Sequence, residues 1–398
     1  MPWNEASPMD QRTDFIKDVL RHSLSITELC LRYNISRRTG YKWIERHQQE
    51  GLPGLRDRSR KPRTCPHRTD DGTVALIVEA RMRHPTWGAK KLRKILSKRH
   101  PDRVWPSRST MCDILDRNEL IDHRRTRRNV GHPGKPTAPM DEPNKVVCAD
   151  FKGQFKTGDG IYCYPLTVTD GCSRYLLGCR GLFTTKCRDA KPVFRRLFQE
   201  YGLPDRIRTD NGVPFATNTL ARLSSLSAWW VRLGIMPDLI EPGKPQQNGR
   251  HERMHRTLKA ETARPPASSM RAQQRRFDRF MDEYNNDRPH EALNQETPAS
   301  VYRPSHRTMP TKVPPLEYPA HYETRYVSSN GGMRWNNRWV NVSTCCVDEY
   351  VGLEEIDDGV WDVYFGRLKL GRLLEEHSRI EDQFGRLRRH EVLPMYPD

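Results

Sequence analysis

Three carboxylates in the middle of this chain lie at positions where an acidic side chain calls for an explanation. Asp150 interrupts an apolar, strand-like run, Val146-Val147-Cys148-Ala149-Asp150-Phe151. Asp210 ends a second such run before Asn211-Gly212, and Glu252 lies early in a helix-like segment. A buried acid without a partner is costly, so it is usually paired or bound to a metal ion. Magnesium prefers oxygen ligands of this kind, and two-metal phosphoryl-transfer sites are assembled from separated acids.

Each acid taken alone also has an ordinary explanation. Asp210-Asn211-Gly212 is a turn signature, Asp150 can pair with an arginine, and Glu252 can form an ion pair with Arg256 one helical turn away. The combination favours a metal site, because 59 residues separate Asp150 from Asp210 and 41 separate Asp210 from Glu252. Each acid also falls at the end of a strand or the beginning of a helix.

The segments around these acids resemble those of the DDE-type integrases and transposases of bacterial insertion sequences. The matching segments are residues 149–155, 209–212, 243–253 and 284–293, with Thr297-Pro298 behind them. The resemblance implies an α/β ribonuclease H-like catalytic core, which we place at residues 144–303. It also implies that Asp150, Asp210 and Glu252 are the catalytic residues and the ligands of two Mg²⁺ ions, for which Mn²⁺ would substitute.

The activity that this resemblance implies is that of a Mg-dependent polynucleotidyl transferase. The protein would bind the terminal inverted repeats of its element, nick the double-stranded DNA there, and transfer the strand into target DNA. Bringing two ends together implies a homo-oligomer. Two rivals remain open: a domesticated DNA-binding regulator with an inactive core, and a nuclease without strand transfer. The presence of all three acids counts against the regulator, and only the DNA-binding modules described below distinguish a transposase from a nuclease.

The interval before Glu252 is longer than that of retroviral integrases. We place the additional residues in segment 217–233, as a longer surface helix that would leave the site intact. Glu241 and Glu261 are the rivals for the third ligand, but Glu241 precedes a Pro-Gly turn and Glu261 lies too far along the helix. Asp170 is interpreted as a turn residue at the end of a strand.

The charge of the chain favours a polyanionic partner. Its net charge is +18, and residues 1–135 alone hold 30 basic and 16 acidic side chains. Neutralising DNA phosphates releases counterions, so we expect this basic third to bind DNA. There is no apolar run long enough to span a bilayer and no export signal, so we expect a cytoplasmic, nucleoid-associated bacterial protein with no membrane partner. The ten cysteines show no zinc-finger spacing, which indicates that the zinc module of retroviral integrases is absent.

Residues 1–55 read as a helix-turn-helix domain. Ser25-Ile26-Thr27-Glu28 has the form of a capping box that begins a second helix, and Ser36 is placed as the N-cap of a third. Gly40, in the middle of that third helix, is expected only to weaken it by about 1 kcal/mol. The side chains expected outward, toward DNA, are Arg37, Arg38, Thr39 and Lys42.

A second helix-turn-helix module is expected at residues 71–122, after a basic linker at 56–70. Ser107 would cap a helix that buries Met111, Ile114 and Leu115 and leaves Arg108 free to contact DNA. Residues 123–143 form a basic linker rich in proline and glycine. We expect this linker to follow the phosphate backbone or to let the modules swing.

Within the core, strands are predicted near residues 146–155, 162–170, 176–182 and 205–209, and helices near 189–201 and 247–263. On the last helix Met254 and Leu258 are expected to face inward. A second stripe carries Asn248, Glu252, Arg256 and Lys259. Arg256 and Lys259 are candidates for contacting DNA phosphates, although a solvated, salt-bridged face is the ordinary alternative.

The C-terminal part alternates short apolar and polar stretches after a proline-rich linker at residues 304–320. This pattern predicts a small β-barrel at 321–398, similar to the C-terminal domains of several DDE recombinases. Its acidic run at 354–358 makes a subunit contact as plausible as a DNA contact.

Overall fold

The computed structural model describes residues 7–59, 68–121, 138–241 and 244–382. The chain divides into two compact units, Met1–Thr69 and Asp70–Asp398. The greater part of each basic linker, predicted at 56–70 and 123–143, lies outside the described residues. The end of the predicted barrel also lies outside them. Within the described ranges, no helix combines the length and the apolar character needed to cross a bilayer.

The first unit contains three short helices that pack around a small apolar centre. These are α1 (Pro8–Leu20), α2 (Ile26–Arg32) and α3 (Arg37–Glu50), followed by a 3-10 turn at Leu52–Leu55. The predicted caps are confirmed: Ser25 and Glu28 form a reciprocal capping box, and the Ser36 side chain accepts a hydrogen bond from the Thr39 amide. The buried side chains at the centre are Phe15, Ile16, Leu29, Cys30, Trp43 and Leu55.

The second unit begins with another group of three helices. They are α4 (Asp71–Arg83), α5 (Ala89–Arg99) and α6 (Arg108–Arg117). Ser107 caps α6 as predicted, with its hydroxyl accepting from the Thr110 amide at 3.3 Å. The helices bury a common core with the fully enclosed Trp87 at its centre, and the predicted inward side chains Met111, Ile114 and Leu115 belong to it.

A mixed β-sheet forms the middle of the second unit. Its strands are β1 (Val146–Phe151), β2 (Phe155–Lys156), β3 (Tyr162–Asp170), β4 (Leu176–Leu182), β5 (Arg206–Thr209) and β6 (Met236–Leu239). β1 lies at the centre, antiparallel to β3 and parallel to β5, and β6 extends the sheet beyond β5. β2 and β4 both pair with the outer edge of β3. An antiparallel hairpin continued by parallel strands in this order is the predicted ribonuclease H-like arrangement.

Helices cover both faces of this sheet. They are α7 (Cys187–Tyr201), α8 (Ser225–Arg232), α9 (Gly249–Thr262), α10 (Met270–Asp282) and the short α11 (Pro298–Val301). Val147, Leu166 and Val168 of the strands pack with α7 and α8 on one face. Cys163 and Cys179 pack with Met254, Leu258 and the α10 aromatic side chains on the other. Because strand side chains alternate, Asp150 of β1 and Thr167 of β3 lie on the face that α9 covers.

The prediction of a longer surface helix in segment 217–233 is wrong. The helix there is α8, and all of its residues from Leu226 to Val231 are buried. Trp229 and Trp230 pack into the sheet core beside α7, whereas Ala228 and Val231 belong to the core of the C-terminal sheet. α8 therefore packs between the core of the mixed sheet and the core of the C-terminal sheet, so apolar side chains lie on nearly all of its faces.

Up to residue 382, the C-terminal part forms two antiparallel sheets. The strands are β7 (Glu323–Tyr326), β8 (Gly332–Trp335), β9 (Arg338–Asn341), β10 (Tyr350–Asp357), β11 (Val360–Phe365), β12 (Leu368–Leu374) and β13 (Arg379–Glu381). A five-stranded sheet has the order β13-β12-β11-β10-β7, and β8 and β9 form a hairpin. Closure into a barrel stays a prediction.

Candidate active site

Asp150 lies where the central strand leaves the interior. Residues 146–149 of β1 are fully buried, and the Asp150 side chain is 20% exposed. The apolar run supplies a strand that can be buried on both faces, so the carboxylate is held rigidly against the covering helix α9.

Asp210 is the residue that follows β5. The parallel register pairs Cys148 of β1 with Arg208 of β5, and continuing that register by two residues sets Asp210 beside Asp150. The Gly212 amide donates to Asp210 Oδ1 at 3.1 Å, so the turn interpretation of Asp-Asn-Gly is also correct. β5 is fixed to β6 by a buried ion pair, in which Arg208 Nε lies 2.9 Å from Asp238 Oδ2.

Glu252 lies in the first turn of α9, on its exposed side. Burial, reinforced by the negative charge of Asp210 and to a smaller extent by that of Glu252, raises the pKa of Asp150 to about 7. Asp210, which follows β5, and Glu252 of α9 are therefore near enough to Asp150 of β1 to act on it through their charge.

Such a group of carboxylates fits divalent cations. Lys152 is the positive charge that most favours the ionised form of Asp150, and it does not prevent the upward shift of the pKa. Magnesium and manganese are bound by carboxylates in this kind of arrangement, and a cation would remove the mutual repulsion of the acids. That Asp150, Asp210 and Glu252 hold such ions stays a prediction.

The three acids that were considered as alternatives or decoys have other partners. Asp170 is 1% exposed and accepts hydrogen bonds from the Asn144 amide and from the amide and hydroxyl of Ser173, which confirms its interpretation as a turn residue. Glu241 is bound by the Gln247 amide group and by Lys244. Glu261 Oε1 lies 2.8 Å from an Arg288 guanidinium nitrogen.

Two buried histidines lie beside Glu252 on α9. His251 and His255 both direct Nε2 at the hydroxyl of Thr167, at 2.7 and 2.6 Å. His251 Nδ1 lies 2.7 Å from the Thr169 hydroxyl, and His255 Nδ1 lies 3.6 Å from Asp150 Oδ2. Burial lowers the pKa of His251 to about 3 and holds the pKa of His255 below its usual range, so both rings are neutral.

Known protein families match both the core and the helical modules of the chain. Residues 140–245 and 233–298 match two models, each described as an integrase core domain. Residues 11–63 match a helix-turn-helix domain, and residues 39–115 match a homeodomain-like domain.

Two curated relatives come from insertion elements. An uncharacterized 31.7 kDa protein of element IS407 from Burkholderia multivorans is 28% identical over 47% of this chain. An uncharacterized 39.2 kDa protein of element IS476 from Xanthomonas euvesicatoria is 26% identical over 64%. This chain is related to the DDE-type insertion-sequence transposases. It spans 65% and 66% of the length of these two relatives.

Retroviral integrases are among the similar solved structures. The simian T-cell lymphotropic virus intasome in complex with PP2A regulatory subunit B56 gamma has a chain that is 15% identical, with a TM-score of 0.36 over 74% of this chain and 97% of that one. The HTLV-2 integrase catalytic core domain in complex with magnesium is 13% identical, with a TM-score of 0.31 over 41% of this chain and 98% of that one.

The remaining side chains predicted for α9 of this integrase core divide into two groups. Arg256 and Lys259 are exposed on the helix. Asn248, predicted on the same stripe, is 4% exposed and lies in a 3-10 turn at Pro245–Asn248. The prediction for Asn248 is wrong, because α9 begins one residue later and the chain turns inward there.

In the helix-turn-helix domain, α3 carries the side chains predicted to read DNA. Arg37, Arg38 and Lys42 are exposed, whereas Thr39 is half-buried and its hydroxyl lies 2.9 Å from that of the cap Ser36. Gly40 has a packing role in addition to its predicted cost in helix stability. A Cβ there would lie 2.6 Å from Cys30 Sγ and 3.2 Å from Phe15 Cζ, so glycine lets α3 approach α1 and α2.

The second module exposes Arg108 at the beginning of α6 and is docked on the integrase core. His84 Nδ1 lies 2.9 Å from Glu283 Oε1, and Lys94 Nζ lies 2.8 Å from Glu296 Oε1. Lys90 pairs with Glu291 in the same way. In this structure these ion pairs join the module to the core.

The sequence analysis missed His251, His255 and Thr167. Residues 251–255 read His-Glu-Arg-Met-His, and two histidines four residues apart on one helical face, around a glutamate, are a recognised metal-binding signature. Applying that rule would have singled out the histidines. It would not have found Thr167, which lies 84 and 88 residues away from them on β3.

Proposed function

We propose that this protein is a DNA transposase that acts as a homo-oligomer on double-stranded DNA. It binds the terminal inverted repeats of its element, nicks the DNA there, and joins the resulting end to target DNA. The observation that carries the proposal is the action of Asp210 and Glu252, through their charge, on Asp150 of β1, the strand that pairs with β5. Their mutual effect on the pKa of Asp150 supports a common role as ligands of Mg²⁺ or Mn²⁺.

The proposed chemistry is two successive displacements at phosphorus. In the first, a water oxygen replaces the bridging 3′ oxygen, which leaves as a hydroxyl. In the second, that 3′-hydroxyl attacks a target phosphorus and a target oxygen leaves. Bound divalent ions would activate the attacking oxygen and stabilise the leaving one. Asp150, Asp210 and Glu252 would hold these ions, and exposed Arg256 and Lys259 would contact the flanking phosphates.

The assignment of the DNA-binding side chains rests on exposure and charge. Arg37, Arg38 and Lys42 project from α3 and Arg108 from α6, whereas Thr39 contributes from a half-buried position. The first turns of recognition helices are the parts that reach base edges in the major groove. Two modules of this kind in one chain suit a long terminal site.

The test uses the purified full chain, Mg²⁺ and a DNA fragment carrying the sequences that flank its own gene. New junctions between these ends and target DNA are expected. Asp150→Asn, Asp210→Asn and Glu252→Gln should reduce nicking and joining by several orders of magnitude while leaving end binding intact. Glu241→Gln is the matched control and should keep at least about a tenth of the rate, because its carboxylate is bound elsewhere.

Three results would contradict the proposal in different ways. Nicks without new junctions would identify a nuclease. End binding with no cleavage in any divalent cation would identify a regulator with an inactive core. Cleavage that persists in a chelator, or in the three acid variants, would exclude the proposed metal site.

A further inference from the structure

One hydroxyl group lies at the junction of the strand that carries Asp150 and the helix that carries Glu252. Thr167 Oγ1 is 3.0 Å from the Asp150 carbonyl oxygen, 2.7 Å from His251 Nε2 and 2.6 Å from His255 Nε2. All three contacts are within hydrogen-bonding distance, and the threonine and both rings are buried.

One assignment of hydrogens satisfies all the contacts of this hydroxyl. A threonine hydroxyl has one hydrogen to donate and two lone pairs to accept with, and a carbonyl oxygen only accepts. All three contacts are satisfied when Thr167 donates to the Asp150 carbonyl and each ring donates from Nε2. A neutral imidazole carries a single N–H, so Nδ1 of each ring then presents a lone pair.

The two lone pairs meet different neighbours. His251 Nδ1 accepts from the Thr169 hydroxyl at 2.7 Å, which completes its hydrogen bonding. His255 Nδ1 faces Asp150 Oδ2 at 3.6 Å, so two electron-pair donors point toward each other in a buried place. An arrangement of this kind is favourable when a cation lies between the two atoms.

We propose that His255 Nδ1 is a further ligand of the divalent ion that Asp150 holds, an inference that rests on the proposed function. Two ligand atoms about 2.1 Å from one ion lie about 3.0 Å apart at a right angle and about 3.4 Å apart at a tetrahedral angle. The observed 3.6 Å is within a few tenths of an ångström of the wider value. Thr167 orients the ring for this role by accepting from its opposite nitrogen.

His251 does not share this role, although Asp150, His251 and His255 lie together as a possible ligand group. In a His-Glu-x-x-His metal site both histidines face one ion. Here both Nε2 atoms face the Thr167 oxygen, which occupies that place, and both nitrogens of His251 have hydroxyl partners. His251 therefore holds the helix, and His255 alone has a nitrogen left for a metal.

A nitrogen ligand changes which metals the site prefers. Imidazole suits transition metals, whereas Mg²⁺ and Ca²⁺ prefer oxygen. His255→Gln is therefore expected to weaken Mn²⁺ binding by about tenfold or more while changing Ca²⁺ binding much less. His251→Gln, one helical turn away, should leave the preference between the two metals unchanged.

The decisive measurement is pulsed electron paramagnetic resonance on the full chain with Mn²⁺ and no DNA. Nitrogen coupling to the bound ion is expected, and it should change isotope pattern when the protein is labelled with ¹⁵N in its histidine rings. The coupling should vanish in His255→Gln and persist in His251→Gln. The labelled wild-type protein shows whether any histidine nitrogen binds the ion, even if a variant fails to fold, and the two variants identify which histidine it is.

The possible results separate this inference from the proposed function. Mn²⁺ that binds to the wild type, is lost in Asp150→Asn, and shows no histidine nitrogen coupling would overturn the role of His255 and leave the three-acid site standing. Coupling that disappears in His251→Gln but not in His255→Gln would also overturn it. No Mn²⁺ binding in the wild type would refute the metal site itself.

Discussion

Replacing Thr167 with valine tests whether a single hydroxyl holds the active-site helix to the sheet. Valine has nearly the same shape but can neither donate nor accept, so the Nε2–H groups of His251 and His255 would lose their partner in a buried place. A buried polar group left without a partner costs about 1–3 kcal/mol. The two rings together give an expected loss of about 2–6 kcal/mol in the free energy of unfolding.

Thermal unfolding followed by tryptophan fluorescence measures this loss. For a domain of this size, about 1 kcal/mol corresponds to a change of about 2–4 °C in Tm. Thr167→Val should therefore lower Tm by at least about 4 °C. Thr167→Ser retains the hydroxyl and loses only a methyl group, so it should stay within about 1.5 kcal/mol of the wild type.

DNA cleavage gives a second measurement, made at a temperature where both variants are folded. Because His251 and His255 flank Glu252, loss of the hydroxyl lets α9 shift relative to Asp150, and a displacement of about 1 Å can cost a hundredfold in rate. Thr167→Val should cleave at least about tenfold more slowly than Thr167→Ser. A valine variant with wild-type stability and wild-type cleavage would refute the idea that this hydroxyl organises the site.

Three further predictions concern charge and packing. The pKa of Asp150 is raised to about 7 in the folded protein, so its protonation stabilises the folded state fully below about pH 4, and this stabilisation is lost as the pH rises through about 7. In a chelator at pH 8, Asp150→Asn should therefore have a larger free energy of unfolding than the wild type, by at most about 4 kcal/mol. Urea titrations should show that this difference vanishes near pH 4. Gly40→Ala should lower the stability of a fragment of residues 1–59 despite the better helix propensity of alanine, and a rise in its Tm would contradict the close packing seen against Cys30. Arg37→Ala combined with Arg38→Ala should weaken binding to the element's ends more than binding to unrelated DNA, and an equal loss on both in salt titrations would reassign these arginines to phosphate contacts.

The sequence was most informative where the structure depends on neighbours in the chain. The caps at Ser25, Ser36 and Ser107 were predicted correctly because a capping hydroxyl binds an amide only three residues away. Asp150 and Asp210 were singled out for a similar reason, since an acid at the end of an apolar run is visible without knowing the fold.

Predictions failed or were incomplete where a residue's role is set by a partner far away in the chain. Gly40 was judged by helix propensity alone, but its neighbour Cys30 belongs to another helix. Segment 217–233 was placed at the surface, although the Cys345 thiol contacts the Leu223 carbonyl across 122 residues and the C-terminal sheet covers α8. The histidines of α9 depend in the same way on Thr167 and Thr169, which only the register of β3 brings beside them.

The negative charges of Asp150, Asp210 and Glu252 repel one another, so they oppose the folding that brings these residues near each other. The shift in the pKa of Asp150 is a measure of that repulsion and of the burial that accompanies it. Neutral groups must therefore hold the elements together: the parallel pairing of β1 with β5, and the hydroxyl of Thr167 between β1 and α9. Since these contacts involve no charge that a metal ion would neutralise, they do not depend on a bound ion. For the proposed function, a divalent cation would therefore require no rearrangement of these elements, and the repulsion it relieves would add to its affinity.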